Sequence, residues 1–488
     1  MLLPRLLGLL AIVLPSLALA DHSFENTAIV RTIDLLGSVV HVTTTYAVKA
    51  LEDSSAYTIA LSQEDAERTS FIEAKVKGAK DALPLQKELR NPSSGVALYT
   101  VELPSSLKAG STLNLVLETA QTHAIYPWPK EAAQGDEQAL KHDTDLFVLS
   151  PYKIAVQRTK IRVPSPKIIS YTTPEGVEAF TTDAVATKSG ATVTYGPFSN
   201  FGPSASEDFL EEHQKRVSVR FHHEFPVLEV RKLKRSAEIS HWGANLNIQD
   251  EIDLYNAGPK LKGHFSRLEH QTHMFYNHPM STVLRQLALQ LPPGIHDAYY
   301  VDIVGNVSTS KLRTVPSVPK GQRAANHNQH SILELKPRYP LLGGWNYSFT
   351  IGWDSPLGDS AAYDAKEGRW IVAIPIMTQI PAAVVDEAEV KIILPEGATD
   401  VEVFPPFPPK MMTRSTHVTY LDTVGRPAVS FEYEQLTDKH VGTIYVSYKV
   451  STSAHLKKPF AVATAFMTLF ALALAARRVD LSIEKATK

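Results

Sequence analysis

"TIYVSYKVSTSAHLKKPFAVATAFMTLFALALAARR", Thr443 to Arg478, decides what kind of chain this is. Its first eight residues, Thr443 to Val450, are rich in β-branched and aromatic residues and partly alternate, the pattern of a half-buried strand. Shortly after comes an uncharged run of 18 residues, Pro459 to Ala476, with Lys457 and Lys458 before it and Arg477 and Arg478 after it. At about 1.5 Å per residue it spans roughly 27 Å, which suits a thin bilayer such as that of the endoplasmic reticulum. A stretch of this length reads as a transmembrane helix, placed here over 457–477. Cations flank both ends, so positive-inside counting alone does not orient it.

The other end of the chain supplies the orientation. "MLLPRLLGLLAIVLPSLALA", residues 1–20, has one cation, Arg5, then a short apolar run ending in Ala18-Leu19-Ala20 before the polar Asp21-His22-Ser23. That is the pattern of a cleaved secretory signal. The expected topology is single-pass type I, with the bulk in the lumen, one span, and a cytosolic tail over 478–488.

About 435 residues lie between signal and span, enough for two large domains. Without the signal there remain 48 basic and 51 acidic residues, a net charge of −3, so the chain has no electrostatic footprint for nucleic acid. The sequence contains no cysteine. A lumenal chain without disulfides must rely on packed cores, and cysteine nucleophiles and thiolate zinc sites are excluded.

Strand patterns fill this region. "VVHVTTTYAV" (Val39 to Val48), "TLNLVLET" (Thr112 to Thr119) and "RVSVRFHHEF" (Arg216 to Phe225) carry them, the last with Val217, Val219 and Phe221 on one face. Thirty-two prolines punctuate the chain as short strands and long loops would. Helix is expected in two places: "STVLRQLALQL" (Ser281 to Leu291), with a strand as its alternative, and one or two turns within "ASEDFLEEHQKR" (Ala205 to Arg216). The basic run "RKLKR" (Arg231 to Arg235) reads as an exposed strand edge. The expected architecture is mainly β: two lumenal β-sandwich-like domains, 21–226 and 227–456, followed by a single C-terminal transmembrane helix. No internal sequence repeat is visible.

Three features invite a chemical reading. "SRLEHQTHMFYNHP" (Ser266 to Pro279) holds His270, His273 and His278. As a strand it puts His270 and His278 on one face and His273 on the other. As a helix it makes His270 and His273 neighbours and ends before Pro279. Neither geometry converges three rings on one ion, and no HExxH pattern is present; at His223-Glu224 the second histidine position is Val227. "DTD", Asp143 to Asp145, has the carboxylates a hard cation prefers, but the motif is common by chance. These residues carry the alternative reading, a membrane-tethered metal-dependent hydrolase or transferase. No Gly-rich phosphate loop or G-x-S-x-G elbow occurs, and no catalytic, cofactor-binding or metal residue is assigned. Two sequons, at Asn306 and Asn346, fit N-x-[ST] and are expected to be glycosylated and exposed.

Longer motifs add a resemblance. "ISHWGANLNIQDEIDLYNAGPKLKGHFSR" (Ile239 to Arg267), "YYVDIVGNVSTS" (Tyr299 to Ser310), "RYPLLGGW" (Arg338 to Trp345), "VKIILPEGA" (Val390 to Ala398) and "TYLDTVGRPAV" (Thr419 to Val429) resemble the ribophorin I family. "THAIYPWP" (Thr122 to Pro129), "LSPY" (Leu149 to Tyr152) and "YGPFSN" (Tyr195 to Asn200) are similar to the same family. The resemblance implies the alpha, non-catalytic subunit of the endoplasmic-reticulum oligosaccharyltransferase, which moves a preassembled glycan from dolichol pyrophosphate to sequon asparagines of nascent proteins. It implies two lumenal β-rich domains on one span, and catalytic residues and metal on a different, polytopic subunit. The remaining subunits are implied as partners, and the role is structural, with presentation of acceptor polypeptides. The short tail resembles the fungal form. The histidine cluster has no counterpart in the resemblance and is read as part of a surface strand, and the exposed aromatic and glycine stretch "LLGGWNYSF" (Leu341 to Phe349) is read as a partner surface.

Overall fold

The computed structural model describes residues 22–88, 95–276, 280–317, 330–419, 422 and 424–478. The signal segment 1–20, His278, part of the Thr419–Val429 motif and the tail beyond Arg478 lie outside them. The chain is mainly β and divides into two compact units, one closing at Glu224 and the other running from Phe225 onward together with Ala133–Gly135.

Unit 1 is built on an eight-stranded sheet in the order Ala186–Ser189, Thr192–Phe201, Lys153–Arg162, Phe24–Leu35, Val39–Ala50, Thr112–Thr122, Thr69–Val76, Ala82–Leu83. The alternating burial of Val39–Ala50 shows why it pairs on both sides: every second residue enters the core. Two smaller sheets cover this face. Phe24 and Tyr46 of the large sheet meet Tyr57 of the Ser54–Ser62 strand at 5.5 and 5.9 Å, an aromatic core without disulfides. Of the sequence-expected helical turns, Glu207–Glu212 forms and buries Phe209.

Unit 2 repeats this topology. Its eight strands run in the order Gly305–Asn306, His296–Asp302, Asn346–Pro356, Asn245–Asn256, Leu228–Ser240, Val384–Ile393, Arg426–Leu436, Met411–His417. Read from the opposite edge, the strands appear in the same chain order as in unit 1. In both units the first strand pairs antiparallel with the second and parallel with the sixth. Both first strands carry a bulge near their start, at Asn26/Ala28 and at Val230/Lys232. The duplication is therefore one of topology, invisible to residue matching.

A four-stranded sheet (Ala361–Asp364, Arg369–Pro375, Thr443–Val450, Ala398–Phe404) and a three-stranded sheet (Leu287–Leu291, Ser331–Leu335, Ser310–Arg313) complete unit 2. Leu233, Ile252, Phe431, Ile374, Ile444 and Leu333 share one buried cluster, so the sheets enclose a common core.

Two local expectations are corrected. Ser281 to Leu291 does not form a helix; Leu287–Leu291 is a strand paired with Ser331–Leu335, its leucines alternately buried. The Arg231–Arg235 run is not an edge, because Leu228–Ser240 is an interior strand of the sheet. Arg235 faces inward and meets Asp250, its cross-strand partner, with both side chains at most 1% exposed. Nε and Nη2 donate to the carboxylate at 2.7 and 2.6 Å, Nη1 to the Pro375 carbonyl at 2.8 Å and Nη2 also to Thr378 at 2.5 Å. Pro375 ends a strand of the four-stranded sheet, so this ion pair ties the two layers together.

Thr452–Arg478 is one continuous helix of 27 residues, about 40 Å long. Phe460, Phe466, Met467, Leu469, Phe470 and Leu472 all stand exposed on it. An apolar helix with no protein around it is stable where lipid covers it.

Candidate functional site

The histidine segment is a helix, Arg267–Phe275, and not a surface strand. Ser266 caps it, accepting from the Glu269 amide at 3.2 Å, and S-x-x-E is the start signal that the strand reading passed over. His270 packs near Phe265, with ring centroids 5.8 Å apart, and burial, with the charges of Arg285 and His273, lowers its pKa. His270 and His273 share this helix; neither belongs to the one group of metal-compatible side chains among the described residues, His296, Asp297 and Asp354. In that group His296 Nδ1 lies 2.8 Å from Asp297 Oδ2, and Asp354 accepts from Asn247 at 2.7 Å.

Asp143 and Asp145 lie on one face of the Ala139–Asp145 strand but differ in burial and in their nearest partners. Asp143 accepts from Tyr126 and pairs with Lys141 at 3.0 Å; against the cost of burial, these partners lower its pKa. Asp145 is raised by burial and by Asp65, with Arg31 opposing. His223 is buried, which pushes its pKa down to about 4, and Glu224 pairs with Lys167 at 3.2 Å. The structure does not bring these residues together as a reacting constellation.

The long motifs instead interlock with one another. Asn256 donates to the Thr282 and Leu341 carbonyls at 2.8 and 3.0 Å and accepts from the Gly258 amide at 3.0 Å. Gly343 approaches so closely that a Cβ there would stand 2.0 Å from the Pro259 carbonyl oxygen. Arg338 grips Asp302 at 2.7 and 2.9 Å, and these hydrogen bonds pull the Asp302 carboxyl down to about 2. Tyr347 and Tyr300 share a hydrogen bond of 2.7 Å beside it. Leu341, Leu342, Tyr347 and Phe349 are buried, so "LLGGWNYSF" is core and close packing rather than an exposed partner surface. Both sequon asparagines are exposed, Asn306 on a short edge strand and Asn346 at the start of Asn346–Pro356.

The surface that stands out is the end of unit 2 from which the apolar helix leaves. The strand registers bring the loops 241–244, 365–368 and 394–397, and the described residues of 418–425, to the same end as Val450. Lys458, the residue before the uncharged run, binds Asp422 at 2.5 Å and Glu396 at 3.4 Å. Burial alone would raise the Asp422 carboxyl, but hydrogen bonds from Lys458 and Thr419, with the charge of Arg426, hold it well below the usual carboxylate range. A cleft of about 610 Å³ opens here, lined among others by His241, Tyr363, Trp370 and Thr452.

A family model described as Ribophorin I matches residues 24–477. The chain belongs to the ribophorin I family. The match takes in both units and the apolar helix together. Among similar proteins, the dolichyl-diphosphooligosaccharide–protein glycosyltransferase subunit 1B of Oryza sativa subsp. japonica is 29% identical over 475 residues, covering 95% of this chain and 93% of the relative. Subunit 1B of Arabidopsis thaliana is 32% identical over 83% of this chain and 81% of its own length. Subunit 1 of Caenorhabditis elegans is 28% identical over 97% of this chain and 76% of its own length. Within the matched range, Gly343 lies close against Pro259 and Asp302 is held by Arg338.

Proposed function

We propose that this chain is a subunit of the complex that transfers an oligosaccharide from dolichyl diphosphate to asparagine in N-x-S/T of nascent proteins. The observation that carries the reading is the ribophorin I match across residues 24–477, with relatives of comparable length named as subunit 1 of that transferase. The chain's part is structural, with presentation of acceptor polypeptides, and the catalytic residues sit on another, polytopic subunit. Its place is the endoplasmic-reticulum membrane, type I, with 21–226 and 227–456 as lumenal domains. The signal-like residues 1–20 and the apolar helix ending at Arg477-Arg478 support that topology, and the division at Glu224/Phe225 supports the two-domain reading. Exposure of Asn306 and Asn346 supports glycosylation at both. The metal-dependent alternative is not favoured, since Asp143 is already bound by Tyr126 and Lys141 and burial disfavours the charged form of Asp145.

The test is affinity purification of tagged full-length chain from gently solubilised microsomes, with mass spectrometry of the eluate. Co-elution with a polytopic membrane chain and further subunits in fixed ratio is expected. Elution of the chain alone would overturn the reading.

A further inference from the structure

The anchor end of unit 2 is apolar where a solvated rim would be polar. Trp242 is 58% exposed, Tyr363 55%, Val418 67% and Val424 65%. They come from two separate loops and from the edge strand Ala361–Asp364, so their exposure is not one strand's misplaced face. The loops' described residues are also held by hydrogen bonds. The Gly243 amide donates to Ser240 Oγ at 3.1 Å, the Val424 amide to Glu396 Oε1 at 2.9 Å, and the Thr419 amide and hydroxyl to Asp422 at 2.9 and 2.7 Å.

The helix sets their depth. Its uncharged run starts at Pro459, so Lys458 marks the boundary between headgroups and hydrocarbon. Asp422 and Glu396 bind Lys458 directly, and a Cβ at Gly397 would stand 2.5 Å from Ala454, one turn higher. Trp242 lines a hollow together with Pro395, Ala454 and Lys458. Ala454 to Lys458 spans about 6 Å, within the roughly 5–7.5 Å of one interfacial layer. Loops touching both Ala454 and Lys458 therefore lie within that layer.

We propose that this end of unit 2 seats in the headgroup region of the bilayer, with Trp242, Val418 and Val424 inserted beside the helix and Tyr363 at the upper margin. The proposal rests on the reading that Thr452–Arg478 spans the membrane. Indole and phenol rings favour this layer because their apolar bodies and polar tips match its two sides. Cations and carboxylates both line the rim, Lys458 and Arg426 beside Glu396 and Asp422, so the occupant is a zwitterionic lipid surface held by insertion rather than by net charge. The helix and the rim together fix the tilt of unit 2 over the membrane.

The test uses full-length chain in phosphatidylcholine vesicles containing lipid with a headgroup nitroxide, compared with Trp242→Phe. The chain has five tryptophans. Wild-type emission is expected to show a lipid-quenched component, and Trp242→Phe should lose the larger part of it with unchanged melting. Equal quenching in both proteins would overturn the proposal, as would iodide in the water reaching Trp242 equally in vesicles and in detergent. Shielding of Trp242 only when other protein subunits are present would also overturn it, in favour of a protein partner. Alkaline carbonate extraction separates the underlying reading: a chain that is stripped from vesicles does not span, whereas one that resists extraction with Trp242 in water spans without seating.

Discussion

Asp250→Asn should destabilise unit 2 by roughly 3–5 kcal/mol, the cost of leaving a buried charge without its partner. The change keeps side-chain volume, so no cavity contributes. The carboxylate accepts three hydrogen bonds, from Arg235 Nε and Nη2 and from Thr378 Oγ1, the last at 2.8 Å. An amide offers those donors one oxygen and one NH2, so at least one is left unpaired while the guanidinium keeps its charge inside the core. For a unit of this size each kcal/mol moves the midpoint by about 2–4 °C, which gives a fall of about 6–20 °C in the unit 2 transition. Differential scanning calorimetry of the detergent-solubilised chain reads it, and Trp353, 5.8 Å from the guanidinium, serves as a local fluorescence reporter. The double variant Arg235→Met/Asp250→Leu should recover most of the loss, because an apolar pair needs no counter-charge. A single-variant transition within 4 °C of wild type, or a double variant no better than the single, would refute the reasoning.

Glycine substitutions should split by position. Gly343→Ala should cost about 1–3 kcal/mol or more in chemical denaturation, because its Cβ meets the Pro259 carbonyl. Gly358→Ala, in the short helix Leu357–Ser360 with nothing within 4 Å, should be neutral or stabilising. Unit 1 should weaken in mild acid: His223 falls from 6.5 to about 4 on folding, so the folded state binds fewer protons. Its stability is whole above pH 6.5 and about 3 kcal/mol is lost as pH falls through 4; a pH series of melts on His223→Asn should be flatter across that window. Asn306→Gln and Asn346→Gln should each raise gel mobility by one glycan, and the double variant should comigrate with enzymatically deglycosylated protein.

Much of the fold was legible because period-two burial follows directly from strand geometry. Val39–Val48 reads as a strand and forms Val39–Ala50, and the uncharged run from Pro459 lies inside one long helix. Leucines at 287, 289 and 291 had the same period, but flanking apolar residues masked it. Ser266-x-x-Glu269 is a helix-start signal that the surface-strand reading of this segment passed over. Arg235 looked like surface because a run of cations does not reveal a carboxylate brought opposite by strand register. The shared topology of the two units was hidden for a related reason: pairing order is conserved by backbone hydrogen bonds, which many sequences satisfy. At the anchor end, each loop is unremarkable in sequence. Trp242, Tyr363, Val418 and Val424 become one surface only through the strand registers.

The most direct test of the central claim is glycan transfer to a sequon peptide, assayed on the complex purified through this chain and on the chain purified alone. Transfer by the complex and none by the isolated chain is the predicted result. Turnover by the isolated chain, or a complex without transfer activity, would contradict the account.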